Sequence, residues 1–370
     1  FQITDDEKAT LVPTDFENFV WFTDAELVGI LKQRVPLFKN SVPASGRMAD
    51  RVNESLQALL TERHLPGRVE FLRESKQDGS GLIGVEYRVS EVSTHIRNVE
   101  FPGASPDQTV FLGKAAHILL DAEYFRSKLA AVAKFDLLPL YLQRGYLRAT
   151  FGPAEARVVT AAGAKSGDAN TDSAGSEDKK SADAKTDAAK PEDISPDDIE
   201  VDAILPVTPG KIYSVSGVTW KGNSAITTDE ATHVFHLAID HPADAVRLTT
   251  DEDNLTKLYK SRGYMTATIK TEAHLDDEKS TVHYDMNVTE GDLYNMGELE
   301  IIGIDSPSKD RLTEAWKLRE GQPYNADYTR QFLDDAPRLL PRGLQFSVSI
   351  NEELDKKGKL VDVTLHFKMQ

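Results

Sequence analysis

"LYLQRGYLRAT" spans residues 140–150 and "LYKSRGYMTATIK" spans residues 258–270. Both contain Tyr-x-x-Arg-Gly-Tyr-x-x-Ala-Thr, with their glycines, Gly145 and Gly263, 118 residues apart. A shared pattern of this length marks a duplicated structural unit, and such repeats decide a fold before any single element does. Locally the pattern reads as a helix stop joined to a strand start. Leu255, Leu258 and Tyr259 share one helical face at i, i+3 and i+4. Gly263 then ends the helix, because a left-handed residue just past a helix costs least as Gly. Tyr264 opens a strand in which Met265, Ala267 and Ile269 alternate inward. After Gly145, the residues Leu147, Ala149 and Phe151 do the same.

Working outward from this stop, three markers recur in order. The first is an apolar-x-apolar pair followed by Gly: Val99, Phe101 and Gly103, then Val218, Trp220 and Gly222, then Leu299, Ile301 and Gly303. Phe19, Trp21 and Thr23 hold these places in a first copy that lacks the Gly. The second marker is the Gly after a helical run: Gly67, Gly145, Gly263 and Gly343. In the first copy, "MADRVNESLQALL" puts Met48, Val52, Leu56, Leu59 and Leu60 on one helical face. The third marker is a strand of strict period-two alternation, with one buried and one wet face. Ile83, Val85, Tyr87 and Val89 form the first; Ile199, Val201, Ala203, Leu205 and Val207 the second; Val282, Tyr284, Met286 and Val288 the third; Val361, Val363, Leu365 and Phe367 the fourth.

The spacings between the second markers are 78, 118 and 80 residues. The long one contains residues 161–198, a stretch of Ala, Asp, Lys and Ser almost free of large apolar side chains. Low hydrophobicity of this kind predicts a disordered insertion. Removing it restores a period of about 80 residues. The expected fold class is therefore α+β: an elongated chain of four tandem βααββ modules, each a three-stranded mixed sheet covered on one face by two helices. The expected domains are 1–95 with an N-terminal extension, 96–211 carrying the insertion, 212–294 and 295–370. After Gly343, Leu344, Phe346, Val348 and Ile350 fall on the opposite phase from the other copies, and a one-residue slip or bulge would restore it.

Composition narrows the function classes. The 370 residues hold no cysteine, which removes disulfides, thiol nucleophiles and thiolate metal sites. A formal net charge of −17 without a clustered Lys/Arg stripe argues against nucleic acid. No apolar run reaches the roughly 18–20 residues of a membrane-spanning helix. The chain starts at Phe1, so it reads as processed or as a fragment, and a missing signal peptide says nothing against export.

With the repeat in hand, the chain resembles the POTRA (polypeptide-transport-associated) domain, found in tandem before outer-membrane barrels of the assembly and two-partner-secretion type. "VSGVTWKGNSAIT" (216–228), "LYKSRGYMTATIK" (258–270) and "VTEGDLYNMGELEIIG" (288–303) carry the resemblance. Glu290-Gly291 followed by Tyr294 and a new first strand is that family's hand-over between modules. "VTPGKIYSVSGVTWKGN" repeats it with Pro209 in place of the Glu. The resemblance implies a periplasmic, non-enzymatic scaffold, exported and associated with the outer membrane, working in outer-membrane protein assembly or secretion. Its implied partners are barrel proteins, their precursor polypeptides or sister subunits, with no nucleic acid and no cofactor. A second reading is a structural interaction module of another envelope or division complex. After Phe367 only three residues remain, so both a soluble partner and an excised periplasmic part stay open.

The family topology further implies that the strand after each glycine is a sheet edge. An exposed edge offers unpaired N–H and C=O groups, which suits β-augmentation by an extended polypeptide. The expected protein-binding positions are Val69, Phe71, Leu147, Ala149, Met265, Thr268, Ile269, Phe346 and Val348. Gly67, Gly145, Gly263, Gly343, Gly103, Gly222 and Gly303 are the structural turns.

Residues that could carry other chemistry are few. His233, His236 and His241 lie close in sequence, but no Cys or carboxylate completes a metal motif, and a surface helix with two histidines is the preferred reading. The pairs Asp197-Asp198, Asp276-Asp277 and Asp334-Asp335 are adjacent, and side chains so placed diverge, which gives general acid–base roles no support. No Gly-x-Ser-x-Gly, Walker loop or dinucleotide fingerprint occurs. Tyr146 and Tyr264 read as packing residues at the sheet start. Arg144 and Arg262 read as caps of the last helical carbonyls or as partners of an acidic neighbour.

Overall fold

The computed structural model describes residues 10–76, 81–159, 198–340 and 346–369. The chain divides into two compact units, residues 1–140 with 149–209, and residues 141–148 with 210–370.

The first unit opens with β1 (Leu11–Glu17), α1 (Asp24–Arg34), β2 (Ser41–Pro43), α2 (Met48–Glu62), β3 (Arg68–Ser75) and β4 (Leu82–Ser90). They form a sheet of order β2-β1-β4-β3. β1 runs parallel to β4, and β3 antiparallel to it. A dry core of Phe16, Leu27, Leu31, Val52, Leu56, Leu60, Tyr87 and Val89 lies between this sheet and its helices. The unit continues with β5 (Ser93–Glu100), α3 (Pro106–Ala116), α4 (Arg126–Val132), a π-turn (Ala133–Leu137), α5 (Leu138–Leu142), β6 (Thr150–Phe151), β7 (Glu155–Val158), β8 (Asp198–Ile204) and β9 (Val207–Thr208). α5 crosses the unit boundary, Tyr141 and Leu142 belonging to the second unit. Here the sheet order is β5-β8-β7, and β6 pairs with β9.

The second unit repeats the plan twice. β10 (Ser214–Lys221), α6 (Thr228–Val234), α7 (Ala245–Ser261), β11 (Thr268–Asp276) and β12 (Thr281–Thr289) give a sheet of order β10-β12-β11. β13 (Asn295–Ile302), α8 (Ser306–Ala315), α9 (Ala326–Asp335), β14 (Phe346–Asp355) and β15 (Leu360–Met369) give β13-β15-β14. In each sheet the first strand is parallel to the last, so a helical crossover connects them, and the strand before the last lies at an edge. Alternation places Val282, Tyr284, Met286 and Val288 on the helix side of β12, against Leu248, Leu255 and Tyr259 of α7.

Every first helix is opened by a side chain that accepts the N–H three residues on: Thr23, Ser105, Thr227 and Asp305. The first three complete capping boxes with Glu26, Gln108 and Glu230. The helix stop is also common. Gly145 and Gly263 are left-handed, and the amides of Tyr146 and Tyr264 reach back to the carbonyls of Tyr141 and Tyr259 at 3.1 Å. This is a Schellman closure, and its two tyrosines pack edge to face. The recurring Tyr-x-x-Arg-Gly-Tyr is thus one cap, with the second Tyr folded back onto the first.

Several expectations need correction. In the first module the helix stop is His64, not Gly67: His64 has φ of 56° and the Leu65 amide bonds to the Leu60 carbonyl. The first strand is Leu11–Glu17, so Phe19, Trp21 and Thr23 do not occupy it; Thr23 is the cap of α1. The strand-end position is filled by left-handed Asn18, whose side-chain amide donates to the Val89 carbonyl. In the other modules Gly103, Gly222 and Gly303 meet the equivalent carbonyls of Val207, Val288 and Phe367, where a Cβ would collide. Ile83 is exposed rather than inward, near a register shift at Glu74/Ser75. β14 pairs with β15 without a shift from Phe346 to Asp355, so the expected bulge is not found among the described residues. Gly343, Leu344 and the insertion, apart from Asp198 at the start of β8, lie outside the described residues.

Candidate functional site: open sheet edges and the joints beside them

β11 lies at the edge of its sheet and pairs with β12 over nine positions, Thr268–Thr289 through Asp276–Thr281. No strand covers its outer side among the described residues. Ile269 packs inward, and Thr268 is exposed. β14 is the corresponding edge of the last sheet, with Phe346 and Val348 packed against its core. β3 is the edge of the first sheet, where Val69 is buried and Phe71 packs on Tyr87. Apart from exposed Thr268, the named side chains face the core in all three, and the strand backbone is the surface on offer.

Leu147, Ala149 and Met265 are not on edge strands. The chain turns at 146–149 and 264–267, and the strands begin only at Thr150 and Thr268. The turn has a structural cause. The carbonyl of Gly263 accepts the Tyr294 amide at 2.8 Å, and the Tyr294 carbonyl accepts the Tyr324 amide at 2.9 Å. Met265 then packs against the core built on Tyr294, Tyr324 and Phe332. The same set recurs with Gly145, Tyr213 and Ala243, and there Leu147 packs against Tyr213 and its neighbours. Met265 and Leu147 plug these joints. Alternation alone could not separate a plug from a strand, although the repeated Tyr ahead of each new first strand was the available signal.

The joint of the first unit is polar and buried. Arg126, only 9% exposed, donates to the carbonyls of Phe16 and Phe22 at 3.1 and 2.7 Å and pairs with Asp24. Glu17 accepts the backbone N–H groups of Arg126 and Ser127 at 3.1 and 2.8 Å. It therefore caps α4, whose own N-cap residue, Phe125, has no side-chain bond. Burial lowers the Arg126 pKa, and the Glu17 carboxylate works in the opposite sense. None of this cluster was foreseen, since its partners lie more than a hundred positions apart in sequence.

The face of the third sheet away from its helices is polar. Asp285 accepts from Lys221 at 2.8 Å, with His274 and His283, a cross-strand pair, 3.6 and 3.5 Å away. Lys221 is the main cause of a lowered Asp285 pKa. In the second sheet Asp202 is buried; burial alone would raise its pKa, but hydrogen bonds from Arg157 and Arg97 prevail and lower it. Arg262 pairs with Glu230 at 2.7 Å, the acidic-neighbour reading.

The three histidines of the α6–α7 region are separately engaged. His233 meets the Asp229 carbonyl, His236 the buried Asp251 carboxylate, and His241 the Ile239 carbonyl. Among the described residues no group of three or more His, Cys, Asp or Glu could hold a metal ion, and no helix is long and apolar enough to cross a membrane.

A family model, POTRA, described as surface antigen variable number repeat, matches residues 213–291. The fold is similar to POTRA domains 3–5 of BamA from Haemophilus influenzae, at 15% identity over 74% of this chain and 96% of that one, with a TM-score of 0.50. The N-terminal domain of Omp85 from Thermosynechococcus elongatus matches at 12% identity over 76% of this chain and 99% of that one, with a TM-score of 0.29. CdiB from Escherichia coli matches at 20% identity over 42% of this chain and 27% of that one, with a TM-score of 0.23.

Proposed function

We propose that this chain, a tandem of POTRA domains, is a periplasmic scaffold in outer-membrane protein assembly or secretion. It binds client or partner polypeptides by β-augmentation, with β11 as the foremost docking edge. The observation that carries this reading is the outer side of β11, paired with no other strand among the described residues, nine residues long and in unbroken register with β12. An extended client added there gains main-chain hydrogen bonds that demand little of its sequence. β3 and β14 offer further edges of the same kind. Weak edges in tandem hold a long client by avidity, because a second contact on a linked site is intramolecular. Thr268 and Ile269, Val69 and Phe71, and Phe346 and Val348 lie on these strands. Met265, Leu147 and Ala149 have no part in it.

The test is crosslinking in cells with a photoreactive residue in place of Lys270, an exposed position of β11. Capture of outer-membrane barrels or their precursors supports the reading. Capture only of other envelope or division proteins favours a structural role in another complex and overturns the assembly role. Failure to capture any polypeptide at β11, β3 and β14 alike overturns edge binding itself.

A further inference from the structure

We infer that the first module carries a second docking site, a groove that takes an acidic peptide segment bearing an apolar side chain. The groove has a volume of about 440 Å³ and is lined by Val35, Pro36, Leu37, Arg47, Met48 and Arg51. One wall is the chain leaving α1, where Leu37 is 80% exposed, the highest value among the exposed large apolar side chains of the described residues. The other is the start of α2, where Arg47 and Arg51 stand one turn apart, both exposed.

The two guanidinium groups make no hydrogen bond or ion pair among the described residues. By contrast, Arg34, Arg97, Arg126, Arg157 and Arg262 each hold a carboxylate. The chain has 60 acidic and 43 basic side chains, so acids for pairing are plentiful. Positive charge in the first turn also runs against the helix dipole, and the N-cap Arg47 supplies no side-chain cap. A carboxylate supplied by a partner would neutralise the two guanidinium groups and form charge-assisted, bidentate hydrogen bonds.

The apolar wall selects the rest of the partner. A bare phosphate would satisfy the arginines and leave Leu37, Val35 and Met48 wet. A Leu or Phe side chain next to a carboxylate covers both halves, as in the recognition of acidic motifs by arginine clusters. The groove is formed by the α1–α2 side of the first module, and none of its residues lies on an edge strand. This inference therefore does not depend on β-augmentation.

The experiment uses the full chain and a fluorescein-labelled peptide alternating Glu with Leu and Phe, read by anisotropy. Binding is expected to weaken about tenfold in Arg47→Ala/Arg51→Ala and severalfold in Leu37→Ser. It is expected to fall with added salt, and to be lost when Gln replaces every Glu of the peptide. Substitutions at such exposed positions leave folding intact, which the thermal melt of each variant checks. The inference is overturned if the double variant binds as wild type does, or if the Gln peptide binds equally well. It is also overturned if Lys357→Ala, a substitution outside the groove lining, weakens binding as much, or if only phosphatidylglycerol vesicles are bound.

Discussion

The carbonyl oxygen of Gly263 accepts the amide of Tyr294 at 2.8 Å, and a Cβ on Gly263 would sit 2.7 Å from the Tyr294 carbonyl oxygen. One residue thus ends a helix and seats the next first strand, with φ of 91°. Gly321 has φ of 79° but open space where its Cβ would go. Gly321→Ala is expected to cost about 1–2 kcal/mol, the conformational penalty alone. Gly263→Ala adds a clash with backbone atoms that side-chain motion cannot relieve, for a total of roughly 3 kcal/mol or more. Urea unfolding followed by Trp316 fluorescence measures both. Equal losses would show that the joint tolerates a methyl group.

His64 holds the left-handed position that Gly145 and Gly263 hold elsewhere, and its side chain is exposed. His64→Gly removes left-handed strain but loosens the unfolded chain, so the expected net gain is about 0.5–1 kcal/mol. An increase in the urea midpoint of the first module, reported by Trp21, is the signature. A decrease would mean that the imidazole contributes more than the strain it imposes.

These two positions also show how far the sequence could be read. The four-module plan and the glycine joints were legible because glycine marks a backbone need wherever it recurs, whereas the edge position of β11 came only from the family resemblance. The first module meets the same needs with His64 and Asn18, so a search for glycine placed its helix stop three residues late and its first strand five residues late. Met265 and Leu147 alternate like strand residues, but what holds them is the Tyr294 or Tyr213 of the following sheet. Such long-range causes leave no local period. The Arg126 cluster is a stronger case, since neither Glu17 nor Arg126 carries any sign of the other.

Glu230 gives a pH signature. Its pKa is lowered to about 2, first by the Arg262 guanidinium and then by the Thr227 amide and hydroxyl. A carboxyl whose folded pKa is depressed contributes stability above its unfolded value, here 4.5, and loses it as pH falls through about 2. A carbon-detected NMR titration should place Glu230 near 2 in the wild type. In Arg262→Gln it should rise but stay below 4.5, because the capping box remains. A wild-type value equal to that of Arg262→Gln would mean that the ion pair does not form in solution.

Arg126 and Asp24 form an ion pair of unequal members: Arg126 is nearly buried, whereas the Asp24 side chain is 46% exposed. If the pair itself mattered most, either partner's loss would be similar. The geometry says otherwise, because the guanidinium also ties down the carbonyls of Phe16 and Phe22 and shares its pocket with buried Glu17. Arg126→Ala leaves Glu17 buried without its counter-charge and should cost about 3–5 kcal/mol. Asp24→Asn removes only a solvent-screened partner and should cost under about 1 kcal/mol. Unfolding monitored through Trp21 separates the two, and similar losses would place the energy in the exposed pair. In that event the modules of the first unit would be joined at their surface, and adding salt should loosen them. With the cost concentrated in Arg126, the joint should resist salt, because its charges are already out of water.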